Sequence, residues 1–190
     1  MRLLSLPMTL PITLMIAMLM LSACTTPVVT PRSYLDDETA ATVTMAAEPW
    51  IFFTAEAIGF AGNERDYMSL YAFDINRMGA HRQYLAILVS NPPAAAATSP
   101  LTLQLQGGGQ RVALQPTTES LRDLGLSKPP APSYLATARW WYFPVGKDIL
   151  TTVVRSSDLT AAIDVAGKRV TFSTWRDGSA DIDRLNAALP

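Results

Sequence analysis

The sequence predicts a mainly β, antiparallel fold, and three observations carry that expectation. From Leu35 onward the apolar residues fall into short runs of period two, Gly, Pro and Asn separate the runs, and stretches with helical periodicity are few. The first two strands are expected over Thr39 to Met45 and Trp50 to Ala55. A hairpin follows, pairing Tyr67 to Asn76 with Arg82 to Ser90 around Asn76-Arg77-Met78-Gly79. Met68, Leu70 and Ala72 alternate there with Tyr71, Phe73 and Ile75, so both faces are apolar and the hairpin belongs at the centre of a sheet. In the next hairpin Leu101, Leu103 and Leu105 alternate with Thr102, Gln104 and Gln106, and Val112 and Leu114 resume the pattern after Gly107-Gly108-Gly109. Those glycines supply the positive φ of the turn. Three more strands are expected over Tyr134 to Phe143, Leu159 to Val165 and Arg169 to Trp175, the last two joined by Ala166-Gly167-Lys168. Period two makes Leu159, Ala161, Ile163 and Val165 the inward set of the second of these.

Helices are short. Thr118 to Leu124 stops at Gly125, and Asp148 is placed to cap Ile149 to Arg155, where Ile149, Leu150, Val153 and Val154 share a face despite their β-branching. At the C-terminus Ser179 is the expected N-cap, Asp181 and Asp183 sit near the positive end, and Ile182, Leu185 and Leu189 form one stripe. Many short strands with a few peripheral helices point to an antiparallel β-sandwich, immunoglobulin-like, with a partly closed barrel as the alternative. Asn91 to Pro100 and Ser127 to Ser133 read as Pro-bearing surface loops, and no internal repeat is visible.

The 190 residues are 49% hydrophobic, with 15 basic and 16 acidic side chains, which excludes a strongly basic nucleic-acid binder and a highly charged disordered chain. One Cys and one His exclude an intrachain disulfide and nearly every zinc site, because such sites need several ligands at one point. The N-terminus reads Met1-Arg2, then an uncharged apolar run to Leu21 interrupted by Pro7 and Pro11. Only Ile12 to Leu21 is unbroken, too short for a span of about 20 residues, so a signal-peptide core fits better than an anchor.

Leu21-Ser22-Ala23-Cys24 resembles the lipobox of bacterial lipoproteins, in which a small residue precedes a Cys that is lipidated and becomes the new N-terminus. The resemblance covers the leader alone. It implies a signal peptide over residues 1–23, a Cys24 acylated through diacylglycerol and an amide-linked chain, and, with Thr25 where Asp would retain such proteins at the inner membrane, the periplasmic face of the outer membrane. Residues 24–33, with Pro27 and Pro31, then form an extended tether to a single domain over residues 34–190. Tyr34 to Val43 and Arg65-Asp66-Tyr67 through Asn76-Arg77-Met78-Gly79 look like segments of uncharacterised proteobacterial lipoproteins, which implies an envelope location and supplies no activity.

Few residues offer chemistry. His81 is expected as a solvated turn histidine, since it adjoins Gly79 and no Gly-x-Ser-x-Gly elbow exists for it to serve. Asp36-Asp37-Glu38 lacks the spacing of a calcium loop and reads as a solvated cap before the first strand. Gly107-Gly108-Gly109 lacks the lysine and the strand-to-helix context of a phosphate loop. Trp140-Trp141-Tyr142-Phe143 is the most unusual stretch: on a strand, Trp141 and Phe143 enter the core while Trp140 and Tyr142 cover the other face, or the reverse. No catalytic residue, metal ligand or cofactor is expected. The partners are the membrane, through lipid on Cys24, and an envelope protein that meets the chain at Trp140 and Tyr142, with no role for nucleic acid. The alternative is a binding module that holds a small amphipathic ligand or glycan against the same strand. An apolar pocket lined by Trp140 or Tyr142 favours the ligand, and a flat apolar patch the protein partner.

Overall fold

The structure, a computed structural model, describes residues 30–54 and 65–190. The expected signal peptide, Cys24 and most of the tether lie outside the described residues. Ten strands are present: β1 (Arg32–Asp36), β2 (Ala41–Met45), β3 (Trp50–Thr54), β4 (Tyr67–Arg77), β5 (Ala80–Val89), β6 (Leu101–Gly107), β7 (Gln110–Leu114), β8 (Arg139–Val145), β9 (Thr160–Val165) and β10 (Lys168–Arg176). The helices among these residues are a 3-10 turn over Ala94–Ala97, α1 (Leu121–Leu124), α2 (Lys147–Ile149), which runs into a π-helical turn over Leu150–Val154, and α3 (Ser179–Ala188). The fold is mainly antiparallel β with a C-terminal helix, and all ten strands join one curled sheet.

The long strand β4 organises the sheet. Its first half pairs with β3, Trp50 opposite Leu70 and Phe53 opposite Tyr67, while its second half pairs with β2, Val43 opposite Ile75. The other edge is occupied along its whole length by β5. The sheet therefore runs β8-β5-β4-β3-β10-β9-β6-β7, with β2 and then β1 set beside the far half of β4. Its two ends approach each other, because the Thr117 backbone N–H, just beyond β7, donates to the Tyr142 carbonyl of β8 at 2.7 Å.

Period-two alternation sorts the side chains into two apolar clusters on opposite faces. Inside the curl lie Trp50, Phe52, Leu70, Leu85, Ile87, Phe143, Ile163 and Phe172, capped by Leu150, Val153 and Val154 of the π-helical turn and by Ile182, Leu185 and Leu189. Leu159, Ala161, Ile163 and Val165 all point inward as expected. On the outside, Val43, Met45, Phe73, Ile75, Tyr84 and Ala86 are covered by Leu124 and Leu126.

Local chemistry holds that cover in place. Ser120 caps α1 by accepting from the Asp123 N–H, and the Asp123 carboxylate accepts from the Ser120 N–H in return. Gly125 ends the helix at φ 102°, and a Cβ there would stand 2.9 Å from the Ile75 methyl, so only glycine allows the turn to lie against the sheet.

Some boundaries differ from expectation. Arg32 and Ser33, expected at the end of the tether, belong to β1, where the Ser33 hydroxyl meets that of Thr44 across the ladder. Residues 134–138 precede β8 instead of starting it. Ser179 is the first residue of α3 and not its cap: Gly178 takes the cap position, and the Asp177 carboxylate accepts the Ser179 N–H at 2.7 Å.

Candidate functional site

The alternation along β8 places the expected contact residues. Phe143 is fully buried inside the curl and Trp141 packs against the same cluster, so Trp140 and Tyr142 face outward. Both are half-buried. Trp140 stacks on Tyr142 with ring centroids 6.1 Å apart and leans on Tyr71 of β4 at 5.3 Å. The three rings pack against the outer apolar cluster as partly buried neighbours. Burial pushes the Tyr142 hydroxyl well above its ordinary value, and it has no hydrogen-bond partner among the described residues.

The aromatic surface extends further than the sequence reading proposed. Leu88 stands opposite both Trp140 and Ser69, and Ser69 stands opposite Ile51, so the same face crosses β8, β5, β4 and β3 in register. Phe53 lies beside Tyr67 and meets Trp175 of β10 edge-on at 5.7 Å, while the Arg65 guanidinium covers the Phe53 ring at 4.7 Å. Trp175 sits at a register break in the β3–β10 ladder and is 63% exposed. The sequence signal was present, since Ile51 and Phe53 alternate with Trp50 and Phe52, but the register that joins them to Trp175 is a long-range property.

His81 does not stand free in a turn. It lies on β5, and its Nδ1 is 2.7 Å from a carboxylate oxygen of Asp74 on β4, while the Gln83 amide donates to the other oxygen at 2.8 Å. Asp74 is buried, and each of its carboxylate oxygens has a hydrogen-bond partner. The shallow groove beside this pair, about 370 Å³, is lined by His81, Arg82, Gln83, Tyr84, Glu119, Pro144 and Val145. The His81–Asp74–Gln83 contacts link β4 and β5 beside their turn.

Asp36 is likewise not a solvated cap. It is buried, and its carboxylate accepts the Ser127 N–H and hydroxyl at 2.7 Å each and the Thr39 N–H at 3.2 Å. The contact ties the β1–β2 turn to the segment that covers the outer cluster. Burial acts to raise its pKa, but the Ser127 and Thr39 hydrogen bonds overcome that and hold it below the ordinary 3.8. Asp164 is lowered by its hydrogen-bonded pairing with Arg169, and Asp158 by the Ser156 hydroxyl. Depressed carboxylates release their protons more readily in the folded state, so their stabilisation is complete above about pH 4 and is lost as pH falls below it. The denaturation midpoint is expected to drop as pH falls below about 4, with a shallower drop in Asp36→Asn. An acid limb of equal steepness in that variant contradicts the role given to Asp36.

Among the described residues no group of three His, Cys, Asp or Glu side chains is arranged to hold a metal ion. A groove of about 120 Å³ carries Arg111 and Arg169, but Gln106 and Asp164 already engage them. An apolar groove of about 270 Å³ is lined by Val89, Ile163, Val170 and Phe172, and neither Trp140 nor Tyr142 borders it. No family model, curated protein or solved structure matches the chain.

Proposed function

We propose that this chain is a lipid-anchored, non-catalytic protein of the bacterial cell envelope, tethered through Cys24 to the periplasmic face of the outer membrane and acting by contact with a protein partner. In this reading the two halves of the curled sheet pack across one core as the layers of an immunoglobulin-like sandwich, a rigid body that displays its outer face. The observation that carries the reading is the outward cluster of Trp140, Tyr142 and Tyr71. These rings lie on a sheet face and do not line any of the three grooves described above, which favours a partner surface over a small-molecule pocket. Large aromatics supply contact area at little entropic cost.

Crosslinking in intact cells tests the proposal. Trp140→Ala combined with Tyr142→Ala is expected to leave near-ultraviolet dichroism and the melting transition recognisable while removing the adducts that the unsubstituted chain forms. Adducts captured at undiminished yield by a folded double variant overturn the assignment of this surface.

A further inference from the structure

Trp175, Phe53 and Tyr67 form an aromatic patch at the far end of the outer face, with Trp175 and Tyr67 exposed, Phe53 half-buried, and Trp175 four strands from Trp140. Its position relative to the tether identifies what it meets. Arg32, the first residue of β1, pairs with Met45, and Met45 pairs with Phe73 of β4. The ladders therefore set Arg32 at the level of Phe73, with Tyr71 and Tyr67 further along the same face of β4. Glu48 joins this point to the patch, bridging Arg32 at 3.9 Å and Arg176, the neighbour of Trp175, at 2.7 Å. Cys24 precedes Arg32 by only eight residues, about 29 Å when fully extended. A lipid on Cys24 would hold Arg32, and the Glu48-linked patch beside it, within about 29 Å of the bilayer.

We propose that the Trp175–Phe53–Tyr67 patch rests on the membrane surface, its rings at the level of the lipid headgroups and acyl-chain ends. The inference relies on the lipid-anchor reading for its geometry and extends it from a flexible leash to a defined orientation. The chemistry suits that depth. Trp and Tyr join an apolar ring to a polar tip and partition to membrane interfaces. Arg65, stacked on Phe53, carries its charge to the rim of the patch, where anionic headgroups would meet it. Arg32 and Arg176 flank the same region, against Glu48 and Asp66.

The test uses tryptophan quenching by phosphatidylglycerol and phosphatidylethanolamine vesicles whose acyl chains are brominated near the headgroup. For the lipidated full chain, quenching is expected in the unsubstituted protein and largely lost in Trp175→Phe, because Trp50 is buried and Trp140 and Trp141 lie on another strand. Equal quenching in Trp175→Phe, or none in the unsubstituted chain, overturns the orientation. The full chain with Cys24→Ser, added to the same vesicles, separates the patch from the anchor. It is expected to bind weakly and to lose on the order of fivefold in partitioning with Arg65→Glu. Unchanged partitioning in that variant, with no quenching of Trp175, overturns membrane docking even where Cys24 is shown to be lipidated. In-cell adducts from Trp175 to a protein, with bare vesicles failing to quench it, assign the patch to a protein and overturn the proposal as well.

Discussion

A chain ending at Gly178 is expected to lose its cooperative melting transition. The truncation removes α3 and the residues after it, and with them Ile182, Leu185 and Leu189, which are 2%, 0% and 8% exposed and help close the inner core. Each such side chain contributes about 1.5–3 kcal/mol on burial, so the three together approach the roughly 5–15 kcal/mol that stabilises a typical domain. The loss also uncovers Leu150, Val153 and Val154 of the π-helical turn, whose Leu150 carbonyl accepts from the Asn186 amide at 3.3 Å. A melting curve left unchanged by the truncation contradicts the place of α3 in the core.

Phe143→Ala is expected to destabilise the domain by about 3–5 kcal/mol, far more than Trp140→Ala three residues earlier on the same strand. Phe143 is fully buried between Leu85 of its neighbour strand and the inner cluster, so truncation leaves a cavity that the surrounding sheet cannot collapse around. Trp140 keeps part of its surface in water and loses mainly its contacts with Tyr71 and Tyr142. Denaturant unfolding of the two variants measures the difference. Equal losses mean that the strand has no functional asymmetry between its faces, and the contact role of Trp140 fails with it.

The face assignment on β8 was legible in the sequence only as a pair of options, because alternation fixes which residues share a side but not which side is the core. The same alternation gave the inward set of β9 and the central position of the β4–β5 hairpin, where apolar residues on both faces require cover on both. Strand β1 was missed for a physical reason. It follows Pro27 and Pro31, lies beside β2 at the edge of the ladder path, and has no apolar alternation, since its buried end is Asp36. What buries Asp36 is Ser127, 91 residues away, and nothing local in Asp36-Asp37-Glu38 reports it. His81 was misread for a similar reason: the turn ends at Gly79, two residues before it, so His81 lies in the ladder within reach of Asp74. Strand order is the least local property of all. The double pairing of β4 with β3 and β2, which joins every strand into one curled sheet, depends on registers between distant segments. The Phe53–Trp175 contact depends on that order, so the far end of the aromatic face could not be assembled from the sequence.

The mass of the mature N-terminus tests the central claim most directly, because both the envelope assignment and the membrane-facing orientation begin at Cys24. Spectrometry of the protein extracted from cell membranes is expected to find a chain starting at Cys24 and carrying diacylglycerol with an amide-linked acyl chain, while Cys24→Ser accumulates unprocessed and unacylated. A mature chain with an unmodified Cys24, or a Cys24→Ser protein still processed and retained at the membrane, contradicts the account.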